Sequence, residues 1–404
     1  MANFIYLILF SLPLYLIKVK IFNIPSTILE LEIYTAFVIF LGINIKNRKT
    51  GDIIKKIIAS KLFLPAVLFL LSGISAVFVS PDKLSALGIF KAYFFDSLLF
   101  FFLFISLIKT RQEVCNSFLA IVSSGVLLVG IGFLGYFSIP NFLEDGRLRS
   151  IFSSPNYLSL YITPLIFLFI GLLSDKKINK KIIWAALFVL LFGLFLTFSR
   201  GAWMGLLVAL VFLAVWTIIK KFFHYRWIGF VGALIMLSLV ALFIVKGLYL
   251  FGVIPSSRIE KSDSIRIEIW RTSWEIGVGS PIAGVGLGNF QSYFGEYTKS
   301  RINYPEYVTP HAITPHNMLI NIWLQIGILG VASIIWLIIS SLKMLSKVLT
   351  KDFLLSISVL SSMVAVLSHG LVESTIWKND LMIYFWFLLG LSIVLYNIYY
   401  AEKK

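Results

Sequence analysis

The residue best suited to proton transfer in this chain is His316, in the segment T-P-H-A-I-T-P-H-N that ends at Asn317. Thr314 is a favourable helix N-cap and Pro315 is favoured in the first helical position, so the pattern predicts His316 in the first turn of a helix. The positive end of that helix opposes an imidazolium and leaves a neutral ring that can accept a proton. The segment therefore predicts a general base. The alternative is a histidine that only satisfies a hydrogen bond at a polar boundary.

The arginines are the second group of candidate site residues. Seven of the ten lie in segments that contain few lysines, so they are not explained as part of the lysine clusters. A guanidinium fork binds phosphate oxygens through two parallel hydrogen bonds and keeps its proton, which an ammonium does less well. The pattern predicts a phosphate-bearing ligand, and the alternative is that these side chains contact lipid headgroups or pair with loop carboxylates such as Glu144 and Asp263. The seven are Arg147, Arg149, Arg200, Arg258, Arg266, Arg271 and Arg301.

Two of these arginines are predicted at or on helices. Arg200 follows the good N-cap Ser199 between two long apolar runs, where free backbone amides and the helix dipole favour an anion. At that depth an arginine needs a cavity or a partner, unless it only extends to lipid headgroups. Arg266 lies in the segment 263–274, which is predicted to be a short amphipathic helix on the membrane surface. There Arg266 and Trp270 share a face, as do Trp270 and Trp274, and the helix is either part of a site or an inert lid.

Three other patterns give weaker evidence for a functional site. Gly284–Gly288 resembles a nucleotide-binding loop but lacks the full glycine spacing and a βαβ context, so it is predicted to be a turn. Paired histidine or cysteine ligands are absent from the polar segments, and neither a metal nor another cofactor is predicted. His369, near the end of an apolar run with Glu373 one turn further on, is a second candidate for a site histidine.

Composition indicates that a membrane must hold these residues in place. Of the 404 residues, 59% are hydrophobic and 13% are charged, against roughly a quarter charged in soluble domains. Apolar runs of the length that crosses a bilayer recur from end to end, so the sequence predicts an all-α polytopic integral membrane protein with about twelve transmembrane helices in a single membrane domain over 1–404. The predicted spans are 3–17, 25–45, 61–80, 84–108, 114–137, 156–174, 182–198, 202–219, 227–249, 315–341, 353–371 and 380–398.

Charge sets the predicted topology. Clusters such as Lys176, Lys177, Lys180 and Lys181 recur in every second loop, and by the positive-inside rule those loops and both termini are cytoplasmic. The long loop 250–314, predicted to contain short helices, then lies outside the cytoplasm with His316 and the seven arginines. Because these topology-setting lysines account for most of the net charge of +16, nucleic-acid binding is excluded.

With these residues in view, the chain resembles the O-antigen ligase and O-antigen polymerase superfamily of bacterial membrane glycosyltransferases. The matching pieces follow the family's order over roughly residues 145 to 330, and the first 140 residues match only as membrane spans. Met204 and Val331 depart from the pattern usual in ligases, which leaves ligase and polymerase both open. The pieces are Arg149–Asn156 (R-S-I-F-S-S-P-N), Ser199-Arg200-Gly201, Arg266 with Trp270, Pro281–Phe290 (P-I-A-G-V-G-L-G-N-F), and His316-Asn317 with Gly327 and Gly330.

The resemblance implies transfer of a glycan from an undecaprenyl-diphosphate carrier to a hydroxyl of a glycan, glycolipid or protein, without metal or nucleotide and with inversion at the anomeric carbon. It implies the periplasmic face of a bacterial inner membrane. Arg200 and Arg266 would bind the carrier diphosphate and His316 would deprotonate the attacking hydroxyl. Arg149 would hold the donor or the acceptor. Arg271, Asn317 and His369 are further expected substrate contacts.

Two other functions remain open at this point. A transporter or flippase would place ionisable residues at mid-bilayer depth and repeat its two halves. Lys91 and Asp96 are the clear candidates for such a path, and the sequence shows no internal repeat. A peptidoglycan-type polymerase would also use a lipid diphosphate at the outer face, and that family is expected to depend on an outer-loop aspartate, here Asp263.

Overall fold

A computed structural model of the chain describes residues 1–21, 24–48, 58–138, 146–219, 257–299 and 314–400, together with residues 51, 55, 143, 144 and 235. Helices account for most of these residues, as the composition predicts. Two short antiparallel hairpins pair β1 (Lys18–Ile21) with β2 (Ile24–Thr27) and β3 (Leu143–Glu144) with β4 (Arg147–Leu148). The described α-helices are, in chain order, α1 (Ala2–Phe10), α2 (Ile28–Lys46), α3 (Phe63–Val79), α4 (Lys83–Phe90), α5 (Asp96–Leu107), α6 (Arg111–Ser138), α7 (Pro155–Leu173), α8 (Lys180–Leu196), α9 (Arg200–Ile219), α10 (Ser257–Gly279), α11 (Phe290–Thr298), α12 (Met318–Val348), α13 (Phe353–His369) and α14 (Asn379–Tyr400).

Seven helical segments in the described ranges are long and apolar enough to cross a bilayer. A span needs about 20 apolar residues because the hydrocarbon core is about 30 Å thick. The chain is therefore a multi-pass membrane protein. The seven are α2, α6, α7, α9, α12, α14 and the stretch Lys83–Leu107, in which a π-helical turn (Lys91–Phe95) joins α4 to α5.

The remaining predicted spans have different outcomes. α3, α8 and α13 each have 17 residues and occupy three of them with shorter helices. The span predicted at 3–17 is not one α-helix, because α1 ends at Phe10 and a 3₁₀ helix, Leu12–Leu16, follows it. Pro13 stands in the first turn of that 3₁₀ helix and cannot donate the backbone bond that would continue α1. The span predicted at 227–249 lies outside the described residues, apart from residue 235.

The chain divides into two compact units. The first unit comprises Met1–Thr110, Lys261–Lys347 and Gly370–Lys404, and the second comprises Arg111–Glu260 and Val348–His369. His316, Arg266 and Arg271 belong to the first unit, whereas Arg149, Arg200 and His369 belong to the second. Each unit is assembled from distant parts of the sequence.

Aromatic packing fixes α5 against α14 in the first unit. The rings of Phe104 and Phe387 meet edge to face at 5.2 Å, and Phe101 lies 4.9 Å from Trp386. Gly390 allows this approach, since a Cβ there would lie 2.7 Å from the Phe104 ring. These contacts hold α14, and with it the polar segment that precedes α14.

Lys91 and Asp96, the residues that suited a transport path, have local partners in the first unit. Lys91 Nζ lies 2.6 Å from Glu30 Oε2 and donates to Pro25 O at 2.8 Å. The Tyr34 hydroxyl donates to Asp96 Oδ1 at 2.6 Å. Charged groups inside a membrane protein need such pairing, and the Lys91 contacts also tie the β1–β2 hairpin to α2.

Helix α7 is the centre of the second unit and contacts α6, α8, α9 and α13. Glycines permit the close approach: a Cβ on Gly171 would lie 2.5 Å from the Phe118 ring of α6. Small residues at helix contacts are typical of membrane proteins, in which close backbone packing replaces a hydrophobic driving force between helices.

Candidate active site

His316, Glu373 and Arg266 form one hydrogen-bonded cluster in the first unit. His316 Nδ1 lies 2.9 Å from Glu373 Oε2, and Arg266 Nη2 donates to Glu373 Oε1 at 2.8 Å. The Glu373 side chain is 8% exposed, whereas the imidazole is 33% exposed and reachable by a substrate. Both carboxylate oxygens thus have a partner, and the histidine is the accessible member of the His316–Glu373–Arg266 cluster.

The start of α12 positions the histidine in a way that differs from the prediction. His316 lies just before the helix with a φ of +50°, and Asn317 is the cap, because its Oδ1 accepts from Ile320 N at 3.0 Å. The prediction that Thr314 caps the helix and that His316 lies in its first turn is therefore wrong. Asn317 is the residue whose carbonyl oxygen reaches the free amide.

The segment that carries Glu373 is docked onto the start of α12 by backbone bonds. Met318 N donates to Gly370 O at 2.7 Å, and Asn317 Nδ2 donates to Leu371 O at 3.0 Å. Asn317 therefore has both halves of its amide engaged in structure. The positive φ of His316 is unusual for a residue with a Cβ, and such strain is often found at functional sites.

Helix α10 supplies the arginine, and its face is the one predicted. Arg266 and Trp270 are one turn apart, and Trp270 Nε1 donates to His316 O at 3.4 Å. Arg271 lies on another face, with its side chain 70% exposed and its Nε 3.6 Å from Glu275 Oε1. The structure brings Arg266 to His316 and leaves Arg271 on the surface. Trp274 is also largely exposed and packs against Trp323.

The glycine-rich segment is a turn, as predicted. Gly284, Gly286 and Gly288 all have positive φ, which glycine adopts without strain. Val285 N donates to Leu324 O at 2.7 Å, and Gly288 N donates to Gln325 Oε1 at 2.7 Å. The turn therefore braces the first part of α12 that follows His316.

A kink in α12 receives this turn. Gly327 has φ 70° and ψ −173°, and a Cβ there would lie 1.8 Å from Ile282 O. Only glycine allows the two backbones to approach so closely. Gly327 therefore fixes the direction of the helix start that carries Asn317.

In the second unit, Arg147 and Arg200 lie at the turn before α9. Ser199 O accepts the first helical bond from Trp203 N at 3.1 Å, so α9 begins with Arg200 as predicted. Arg147 Nε donates to Thr197 O at 2.8 Å, which ties the β3–β4 hairpin to that turn. Arg149 Nη1 donates to Phe152 O at 2.7 Å. Arg147 thus has a structural role beside Arg200.

His369 ends α13 and is buried in the second unit, 1% exposed, where its Cβ lies 3.1 Å from the position of a Cβ on Gly205. The sequence placed Glu373 near His369, but the hydrogen bond of Glu373 is to His316. Glu373 is therefore a candidate site residue that was not among those predicted from the sequence. Its signal was a lone carboxylate in a short polar turn between two apolar runs.

Several predicted residues lie beyond these contacts. Arg301 and His311 are outside the described residues, as are the side chains of Arg258 and Asp263. In the part of the chain that the structure describes, no group of three or more histidine, cysteine, aspartate or glutamate side chains is arranged to hold a metal ion.

The cluster has the geometry of an oriented acid–base pair. A carboxylate can only accept hydrogen bonds, so the proton shared with Glu373 belongs to Nδ1 of the neutral imidazole, and Nε2 is left as the acceptor. The negative charge of Glu373 also stabilises an imidazolium when Nε2 takes a proton. The arrangement can therefore remove a proton from a hydroxyl that approaches the exposed side of His316.

Comparisons with known proteins point to one family. The O-antigen ligase family model matches residues 185–335. The O-antigen ligase of Salmonella typhimurium is 26% identical over 69% of this chain and 69% of its own length. A Rickettsia typhi protein whose name describes a polysaccharide ligase is 24% identical over 94% of this chain and 96% of its own length. The matched range contains Arg200, Arg266 and His316 but ends before Glu373.

Proposed function

The chain belongs to the O-antigen ligase superfamily, and from that premise we propose a metal-independent, inverting glycosyltransferase. It moves a glycan from an undecaprenyl-diphosphate carrier to the hydroxyl of a glycan, glycolipid or protein acceptor. The observation that carries the proposal is the His316–Glu373–Arg266 cluster, because it joins an accessible base to a buried carboxylate and a guanidinium.

His316 acts as the general base. Its Nε2 takes the proton of the acceptor hydroxyl while the oxygen attacks the anomeric carbon of the donor. The bond from that carbon to the diphosphate oxygen breaks, and its electron pair leaves with the diphosphate. One direct displacement inverts the anomeric centre and requires no covalent sugar intermediate. Glu373 holds the ring and stabilises the imidazolium that forms.

Arginines stabilise the leaving diphosphate in this proposal. Arg266 donates to Glu373 through Nη2, and its other N–H groups can donate to a phosphate oxygen. From the family resemblance, Arg200 at the start of α9 is also proposed as a diphosphate ligand, through its backbone amides and its guanidinium. Arg149 and Arg271 are proposed substrate contacts. Asn317 positions the helix start, and the predicted substrate contact of His369 is not kept, because its side chain is buried.

The proposal includes a location. The protein lies in the bacterial inner membrane as a single membrane domain, with both termini in the cytoplasm and with the 250–314 loop and the site at the periplasmic face. This orientation rests on the distribution of lysine and arginine between the loops. It also agrees with the chemistry, since a lipid-linked glycan is used after it reaches the outer leaflet.

The test is transfer in proteoliposomes that contain purified protein, an undecaprenyl-diphosphate-linked glycan and an acceptor, with EDTA present. Wild type is expected to remain active, and His316→Ala is expected to lose about 10²–10⁴-fold in rate, the usual contribution of a general base. Glu296→Gln, on the exposed face of α11, is the matched control. A His316→Ala protein as active as wild type, or activity that requires a divalent cation, would overturn the proposal. The size of the product separates ligation from polymerisation.

A further inference from the structure

A cleft of about 510 Å³ lies in the first unit at the junction of the β1–β2 hairpin, α4 and the start of α14. Binding sites for small ligands usually have volumes of about 300–1,000 Å³. The residues on which its chemistry depends are Pro25, Asp82, Ser85, Ile89, Tyr93 and Asn379. None of the roles proposed above uses this cleft.

The walls of the cleft are held by specific contacts. Lys91 bonds Pro25 O and Glu30, which fixes the hairpin wall. The Tyr93 ring meets Trp377 edge to face at 5.3 Å. Asp82 Oδ1 accepts from Leu84 N and Ser85 N at 3.1 and 3.0 Å, which holds the carboxylate at the start of α4. The cleft is thus formed before a ligand arrives.

The chemistry of the lining selects a class of ligand. Among the described residues that line it are a carboxylate, a hydroxyl, an amide and a phenol, and neither lysine nor arginine. Lys91 beside Pro25 is paired with Glu30, so the Asp82 carboxylate is the lining charge that disfavours a phosphate. The carboxylate accepts hydrogen bonds from hydroxyl groups, and Asn379 can both donate and accept. The ring of Tyr93 offers an apolar face to the C–H groups of a sugar. A neutral sugar fits this lining better than a lipid diphosphate does.

The cleft and the His316–Glu373–Arg266 cluster are joined by one short segment. Asn379 follows Glu373 by six positions, so their Cα atoms are at most about 22 Å apart. Thr375 Oγ1 contacts Met318 Sδ at the cluster end, and Trp377 contacts Tyr93 at the cleft end. An oligosaccharide can bridge this distance.

The glycine-rich turn makes a second connection. A Cβ on Gly286 would lie 2.8 Å from Ser80 Cα, and one on Gly288 would lie 2.6 Å from the Ile89 side chain that lines the cleft. The same turn bonds α12 beside the cluster. The Pro281–Phe290 motif therefore contacts both the cleft and the helix beside the cluster, and these contacts fix the spacing between them.

We propose that this cleft, defined by Asp82, Ser85, Tyr93 and Asn379, is a subsite for sugar residues of a substrate glycan. The inference rests on the proposed function and deepens it. The glycan belongs to the donor or to the acceptor. With the reacting end at His316, the cleft binds units further along the chain and selects among glycans.

Cysteine protection tests the cleft without measuring activity. Cys115 is fully buried, so it adds little background to alkylation by a hydrophilic maleimide. Ser85→Cys places an exposed thiol in the cleft, and Asn47→Cys places one at the exposed end of α2 as the matched control. The probes are the oligosaccharide released by mild acid from the lipid-linked donor of the source bacterium and, separately, the delipidated acceptor glycan.

At ten times its dissociation constant, the bound glycan is expected to slow alkylation of the Ser85→Cys protein about tenfold and to leave Asn47→Cys unchanged. The probe that protects identifies the source of the sugar. If neither probe protects while His316-dependent transfer is intact, the cleft proposal is overturned and the proposed function stands. If a probe protects but transfer does not depend on His316, the cleft is a sugar site and the proposed function fails.

Steady-state kinetics of a second variant test the cleft if the Ser85→Cys protein folds poorly. Asn379→Ala is expected to raise KM for the protecting glycan by about fivefold or more while kcat stays within about twofold, because the contact is the same in the ground state and the transition state. Equal losses in kcat and in kcat/KM would assign Asn379 to the reaction site instead and contradict a remote subsite.

Discussion

Replacing Glu373 by glutamine removes one charge and little volume. The carboxylate accepts bonds from His316 at 2.9 Å and from Arg266 at 2.8 Å. An amide can still accept from one of them, so the fold is expected to persist. What is lost is the negative charge that faces the imidazolium as it forms in the transition state.

The size of that loss follows from the geometry. A unit charge about 4 Å from an imidazolium is worth about 4 kcal/mol at an effective dielectric constant of about 20. The imidazole is one-third exposed, so water screens part of the interaction and roughly 2–4 kcal/mol remains. At about 1.4 kcal/mol per tenfold, Glu373→Gln is expected to lower kcat by roughly 30- to 1,000-fold.

Initial rates in proteoliposomes measure this effect, with Glu296→Gln as the control for loss of a carboxylate on the same unit. KM for the acceptor should change little, because Glu373 acts on the attacking hydroxyl through His316. KM for the donor reports any effect through Arg266, the proposed diphosphate ligand that Glu373 also bonds. Thermal unfolding of both variants separates a catalytic loss from a folding defect. A folded Glu373→Gln protein with a wild-type kcat would refute the assignment of Glu373 as the residue that orients and polarises His316.

Two other substitutions give clear outcomes. Gly327→Ala is expected to lower the unfolding temperature by several degrees. Its φ of 70° with ψ of −173° is essentially restricted to glycine and costs another residue about 1–3 kcal/mol, and the new Cβ meets Ile282 O. Gly42→Ala, with open space around it, should not lower that temperature, and equal midpoints for the two variants would contradict the role of the kink. Arg200→Ala is expected to lower transfer about 10²–10³-fold through loss of a donor to the leaving diphosphate, with Arg200→Lys in between, and a lysine variant equal to wild type would show that only charge matters there.

The sequence predicted the features that depend on local pattern. Apolar runs predicted the class of protein and most of the spans, while i, i+4 spacing predicted that Arg266 and Trp270 share a face of one helix. The positive φ of Gly284, Gly286 and Gly288 agrees with the predicted turn. These properties are decided by neighbours in the chain, so a single sequence contains them.

Features that depend on distant contacts could not be predicted. Glu373 meets His316 across 57 residues, and nothing in the local pattern favoured that partner over His369. Thr314, His316 and Asn317 are all polar, and the local pattern did not show which of them caps α12. Asn317 is the residue that is also bonded to Leu371 O, a contact with a distant segment. The first predicted span, by contrast, is divided for a local reason: α1 ends at Phe10 and Pro13 lies in the 3₁₀ helix that follows.

The most direct test of the central claim, that His316 and Glu373 act as one base, is a double-mutant cycle on kcat. Residues that act as a unit are not additive. We predict that His316→Ala combined with Glu373→Gln is no slower than His316→Ala alone, within about threefold. If the two losses multiply instead, Glu373 contributes to transfer independently of His316, for example through Arg266, and the claim that the two residues act as one base is contradicted.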